Sequence, residues 1–215
     1  MIRIKICGIR TEADAVMAAE AGTDAIGMIF APGARRQIDA AQARRIAAAL
    51  PPFVTKVGVF VNEPLDRVRA LVESIRLDAV QLHGDETPED CATVREWGVT
   101  VIRAIQVAGP LDAAALRALA VHAVLLDTYR PGVRGGTGET FDWSHAVPVA
   151  RCMPVILSGG LRPEFVAEGV RMVRPYGVDV SSGVETDGRK DPAKIQAFIL
   201  AARSAADSQR EQVRQ

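Results

Sequence analysis

The sequence predicts an α/β chain folded as a single-domain (β/α)8 TIM barrel, and three observations predict it. Short apolar segments alternate with amphipathic helical patterns, eight times over 215 residues. The long connections follow the strand segments, whereas the returns from helix to strand are short. Glycine-rich turns close the seventh and eighth strand segments, where such a barrel places its phosphate site. An open doubly wound sheet is the alternative. The lack of Gly-x-Gly-x-x-Gly after the first strand argues against a dinucleotide-binding version of it. The domain spans 1–215, with a polar tail over 203–215 that is expected to fray.

In chain order the strand segments are Ile2–Ile6, Ala25–Phe30, Thr55–Phe60, Ala79–Leu82, Thr100–Ala104, Ala123–Leu126, Val155–Leu157 and Gly177–Val180. They are short and rich in Val and Ile, as parallel strands buried on both faces are. Thr11 is an N-cap for the helical pattern opening at Glu12, and Asp39 opens a second one that runs through Ala47. Pro64, Pro88, Pro110, Pro163 and Pro192 stand near the starts of later helices, where a missing N–H costs little. The connections Ala31–Asp39 and Thr128–Asp142 are unusually long for this chain. In a barrel they mark the C-terminal face, which carries active sites.

Bulk properties exclude several classes of function. Lys+Arg and Asp+Glu both number 26, so the net charge is zero. A basic stripe for nucleic acid or a charged membrane surface is not evident. No apolar run approaches the roughly 20 residues of a membrane-spanning helix. The three cysteines, Cys7, Cys91 and Cys152, are widely spaced and lack metal-type pairing. Cys91 and Cys152 are read as packing. Met1 leads directly into the first strand, so a reduced, cytoplasmic protein without a leader is expected. It is expected to be a monomer, with a homodimer as the alternative.

Candidate chemistry gathers at the strand ends. Cys7 closes the first strand and is followed by Gly8, which lets a ligand approach the backbone. Taken alone, Cys7 reads as a small apolar cap of the strand. Asp127 follows the apolar end of the sixth strand, and its plain reading is a loop cap. Beyond it, Gly135-Gly136-Thr137-Gly138 could close over a ligand, which makes Gly136 a candidate substrate contact. Ser158-Gly159-Gly160 and Ser181-Ser182-Gly183 offer backbone N–H groups and hydroxyls to a phosphate. Arg35 and Arg36, after the second strand, can grip a carboxylate or be solvated loop charges. Gln81 and His83 alternate with apolar neighbours, face one way and are candidate substrate contacts. Without a second histidine nearby, His83 suggests no metal site. Lys5 and Asp179 lie on strands that a closed barrel makes neighbours, so a buried ion pair between them is expected.

Together these segments resemble the phosphoribosylanthranilate isomerase family along nearly the whole chain. The resemblance rests on Lys5-Ile6-Cys7-Gly8-Ile9, Gly58-Val59-Phe60, Gln81-Leu82-His83-Gly84 and Leu126-Asp127-Thr128. It continues through Gly135-Gly136-Thr137-Gly138 with Phe141-Asp142-Trp143, Leu157-Ser158-Gly159-Gly160-Leu161, and Asp179-Val180-Ser181-Ser182-Gly183-Val184-Glu185. It implies a (β/α)8 barrel, no metal or organic cofactor, and a phosphorylated small-molecule substrate. It also implies that Cys7 is the general base, that Asp127 is the general acid and that Arg36 holds the anthranilate carboxylate. The family often has Ser-Pro before that arginine. Here Ala34-Arg35 stands there, which leaves Arg35 as the alternative.

The implied Amadori rearrangement belongs to tryptophan biosynthesis and suits these residues. An acid protonates the sugar-ring oxygen and opens the aminoaldose to a Schiff base. A base then removes the C2 proton, with the iminium as electron sink, and the enolamine becomes a ketone. Each placed proton transfer is typically worth about 10²- to 10⁴-fold. The base requires a thiolate, so local stabilisation is expected, with Lys5 as one source. The acid requires a poorly solvated Asp127 or nearby negative charge.

Rival readings fit less well. A Schiff-base aldolase needs a lysine at a strand's C-terminal end, but Lys56 opens the third strand and Lys5 lies deep. A metal-dependent epimerase needs several histidines and acids at strand ends. A dual-substrate isomerase would carry aspartate where Cys7 stands. A non-catalytic phosphometabolite-binding barrel has no use for both Cys7 and Asp127.

Overall fold

Residues 1–129 and 140–214 are described by the computed structural model. The parallel strands β1 (Arg3–Cys7), β2 (Ala25–Ile29), β3 (Thr55–Phe60), β4 (Ala79–Leu82), β5 (Thr100–Val107), β6 (Ala123–Thr128), β7 (Val155–Leu157) and β8 (Gly177–Val180) form a barrel. It closes where β8 pairs with β1. Around it lie α1 (Glu12–Glu20), α2 (Ala40–Ala49), α3 (Leu65–Ile75), α4 (Pro88–Arg95), α5 (Ala113–Arg117), α6 (Val147–Ala150), α7 (Val166–Val173) and α8 (Pro192–Arg214).

Local chemistry starts and stops these helices. Thr11 and Asp39 accept backbone N–H groups at the starts of α1 and α2. Thr87 and Asp90 form a reciprocal capping box at α4, with Pro88 in the first turn. Arg76 and Arg174 end α3 and α7 in the left-handed conformation. α8 stays helical through Arg214, across most of the tail expected to fray. Its buried Ala202 and Ala205 pack against the core, and Arg203 donates to the Gly22 carbonyl.

Apolar packing follows the strand alternation. One large cluster fills the space between strands and helices, and a smaller one, including Val57, Ile102, Leu125 and Ile156, fills the barrel interior. The same alternation brings Lys5 and Cys7, Leu125 and Asp127, and Asp179 and Ser181 to inward positions.

Two strands run further than the sequence suggests. β5 reaches Val107 and β6 reaches Thr128, because Gln106 pairs with Asp127 and Val107 with Thr128 in the ladder. Asp127 therefore belongs to a strand and not to the loop beyond it. A short hairpin, β9 (Glu185–Thr186) with β10 (Arg189–Lys190), separates β8 from α8. Its turn, Asp187-Gly188, has positive φ at both residues, the two-residue turn that an Asp-Gly pair favours. Among the described residues, no helix is long and apolar enough to cross a membrane.

Candidate active site

A cavity of about 340 Å³ opens at the C-terminal mouth of the barrel. Cys7, Arg35, Arg36, Gln81, His83 and Asp127 line it, together with both glycine-rich turns. Nearly every residue singled out in the sequence thus meets in one place. Gly136 lies outside the described residues.

One wall is built by β1, β2 and β8 and is dense in charge. Lys5 donates from Nζ to Asp179 Oδ1 at 2.8 Å, and both side chains are buried. The register places Lys5 directly opposite Asp179, as expected of the closing strands. The other Asp179 oxygen accepts from Ser158 Oγ at 3.2 Å. Burial pulls the Lys5 ammonium down, but Asp179 and Cys7 outweigh it and hold Lys5 above its ordinary value. Burial likewise pushes the Cys7 thiol up; Asp179 adds to this, and Lys5 and Lys190 only partly draw it back. Lys5 thus supplies the expected attraction for a thiolate, but desolvation is larger.

Two glycines make room on this wall. A Cβ on Gly27 would stand 2.6 Å from Cys7 Sγ and 3.1 Å from Lys5 Nζ. At Gly8, φ is +74° and a Cβ would collide with Arg36 Cδ, so the stem of Arg36 lies across the glycine that follows the cysteine. Arg36 ends in a two-pronged pair with Glu185, Nε to Oε1 at 2.6 Å and Nη2 to Oε2 at 2.7 Å. Arg35 reaches the same carboxylate at 2.8 Å, but its side chain is 67% exposed against 11% for Arg36. Lys190 joins Glu185 Oε1 at 3.0 Å and the Ser181 carbonyl at 2.9 Å. Burial would raise the Glu185 carboxyl, but bonds from Arg36 and the charge of Lys190 prevail and hold it at about 2. Burial holds the Lys190 ammonium below its ordinary value, against the pull of Glu185.

The facing wall, from β4 and β6, relies on hydrogen bonds. Asp127 is 4% exposed, and its Oδ1 accepts the backbone N–H of Thr128 at 2.9 Å. Its Oδ2 lies 3.3 Å from His83 Nε2, and His83 Nδ1 lies 3.1 Å from Gln81 Nε2. Gly159 has φ +80°, and a Cβ there would stand 2.6 Å from Thr128 N and 3.1 Å from Asp127 Oδ1. A turn expected to bind phosphate therefore also makes room for Asp127.

The turns after β7 and β8 pack together, since a Cβ on Gly183 would overlap the Leu161 carbonyl. Gly159 and Gly160 both have positive φ, and a short 3-10 turn, Ser182–Val184, follows β8. Two of the serine hydroxyls are engaged: Ser158 Oγ on Asp179 and Ser181 Oγ on the Cys7 carbonyl at 3.1 Å. An anion here would meet backbone N–H groups and Ser182.

Sequence reasoning missed Glu185, Lys190 and Gly27. Glu185 stood at the end of a quoted motif, and Asp187-Gly188 carried a hairpin signal. Gly27 carried none, because only the register Cys7–Gly27 gives it meaning. Cys152, read as packing, is exposed in the turn before β7, and Cys91 is buried. Among the described residues, no group of three or more His, Cys, Asp or Glu is placed to hold a metal ion.

Residues 4–201 match the family model described as N-(5'-phosphoribosyl)anthranilate (PRA) isomerase. The N-(5'-phosphoribosyl)anthranilate isomerase of Pseudomonas putida is 48% identical over 205 residues, covering 95% of this chain and 98% of that protein. The crystal structure of the phosphoribosyl anthranilate isomerase from Thermus thermophilus superposes with a TM-score of 0.86 at 40% identity, over 94% of this chain and 99% of that one. Another isomerase structure, in complex with reduced 1-(o-carboxyphenylamino)-1-deoxyribulose 5-phosphate, gives a TM-score of 0.82 at 42% identity, over 95% of this chain and all of that one.

Proposed function

The chain belongs to the N-(5'-phosphoribosyl)anthranilate isomerase family, and from that premise we propose that it works by general acid–base catalysis between Cys7 and Asp127. The activity is that of the family, the isomerisation of N-(5'-phosphoribosyl)anthranilate in tryptophan biosynthesis. The product is 1-(2-carboxyphenylamino)-1-deoxyribulose 5-phosphate. One observation carries the mechanism: a thiol and a carboxyl line the same cavity from different walls, beside glycine turns suited to phosphate.

Asp127 gives its proton to the ring oxygen as the C1–O bond breaks, leaving an iminium at C1. Cys7, as thiolate, removes the C2 proton. The C–H electrons form the C1=C2 bond, and the nitrogen takes up the iminium pair. In the last step C1 gains a proton while the C2 hydroxyl loses one. Cys7 then holds the proton to give and Asp127 the vacancy to fill, so both return to their starting forms. Lys5 and Lys190 draw the Cys7 thiol toward its anion, against the larger effect of burial.

Arg36 is our choice over Arg35 for the anthranilate carboxylate. Glu185 occupies its Nε–Nη2 edge, and its Nη1 side is left for a second carboxylate. Gln81 and His83 contact the sugar or the amine, and the turns at 159–160 and 181–183 hold the phosphate. Beyond the site, we read 1–215 as one domain of a cytoplasmic protein that needs no cofactor and binds neither nucleic acid nor membrane. A monomer is the simplest state. Phe53, 96% exposed beside a cavity of about 530 Å³ at the N-terminal mouth, is what favours a homodimer.

The test is the fluorescence decay of freshly made phosphoribosylanthranilate. Rapid decay with the protein is expected, and its absence would leave a phosphate-binding barrel with another task.

A further inference from the structure

Gln81 is 1% exposed, and its Nε2 lies 3.1 Å from His83 Nδ1. On the far side of the imidazole, Nε2 lies 3.3 Å from Asp127 Oδ2. Gln81 Oε1 is a buried oxygen without a hydrogen-bond partner among the described residues. In this arrangement the amide meets the histidine through its nitrogen.

An amide NH2 group only donates, so the Nδ1 facing it must be the bare, accepting nitrogen. The neutral ring then carries its hydrogen on Nε2, toward Asp127. We propose that Gln81 is a positioning residue that fixes His83 as the Nε2–H tautomer, so that the ring can donate to Asp127 but cannot take its proton. This rests on the reading of Asp127 as the general acid. With the opposite tautomer, a bare Nε2 beside Oδ2 would accept the proton meant for the sugar-ring oxygen. With Nε2–H in place, the acid's proton stays on its cavity side. Once it has left, the new carboxylate already has the Thr128 N–H on Oδ1, and Nε2–H, 3.3 Å from Oδ2, is near enough to close onto it as the charge develops. Gln81 Oε1 remains to accept an N–H or O–H of the substrate.

Nitrogen-15 NMR of the histidine-labelled protein tests this. The chain has three histidines, and His83→Gln identifies the signal of interest. The neutral His83 ring of the free protein is expected to carry its hydrogen on Nε2 and to be bare on Nδ1. Gln81→Met is expected to abolish that pattern and to lower kcat about 10- to 100-fold, apart from whatever loss of the Oε1 contact to substrate adds to KM. Gln81→Glu, which offers Nδ1 only acceptors, is expected to place a hydrogen on Nδ1. In a His83→Gln background, Gln81→Met should lower kcat less than about three-fold further, because no tautomer remains to be fixed. A wild-type ring protonated on Nδ1, or an unchanged pattern in both Gln81 variants, overturns the proposal. Failure of the wild type to consume the aminoaldose would instead overturn the proposed mechanism, since the tautomer is read without turnover.

Discussion

The two walls of the cavity are built by opposite means. Around Cys7, charges are dense and paired: Lys5 with Asp179, and Arg35, Arg36 and Lys190 all on Glu185. Around Asp127, one carboxyl is served by a backbone N–H and by the edge of an imidazole that an amide orients. The difference bears on the proposed roles of the two groups, a base and an acid in one small cavity. A buried thiol becomes an anion only with cations beside it.

Removing the proposed acid should have the largest effect. Asp127→Asn is expected to lower kcat about 10²- to 10⁴-fold with little change in KM, in steady-state kinetics; a near-normal kcat would move the acid elsewhere. On the charged wall, Lys5→Met leaves Asp179 buried without its cation. A loss of about 3–5 kcal/mol of stability in denaturant unfolding is expected, and a loss below about 1 kcal/mol would mean that the pair is replaceable. The two arginines should separate clearly. Arg36→Ala is expected to raise KM about 10- to 100-fold, the worth of charged hydrogen bonds, while Arg35→Ala changes it less than about three-fold. The reverse ranking would transfer the carboxylate contact to Arg35.

Glu185 gives the mildest test, in pH. Its carboxyl sits at about 2 when folded, below the ordinary unfolded value. Its stabilisation is therefore complete above the unfolded value and lost as pH falls from there toward about 2. Thermal melts across that window should show a slope that Glu185→Gln reduces. An unchanged slope would mean that the three cations do not depend on this carboxylate.

Much of this was legible in the sequence because it is local. Apolar strands with long connections after them announced the barrel, and Cys7-Gly8, Asp127 and the glycine turns sat at strand ends. The Lys5–Asp179 pair could be inferred because barrel closure makes the first and last strands neighbours. What stayed hidden depends on register and on distant packing. Gly27 matters because it lies beside Cys7 on the next strand, and Gly8 matters because a side chain 28 positions later crosses it. Glu185 looked like the end of a motif until the hairpin turned it back onto Arg36. The balance at Cys7 was also beyond the sequence, since desolvation depends on how deeply the thiol is buried.

The division into a chemical pair and a binding frame is tested most directly by one side-by-side measurement on Cys7→Ala. Turnover would be followed by fluorescence decay, and affinity for the reduced product analogue by calorimetry. Turnover should fall by at least about 10²-fold while affinity stays within about three-fold of the wild type. Retained turnover would remove Cys7 as the base. An equal loss of turnover and affinity would contradict the account by making Cys7 part of the binding frame.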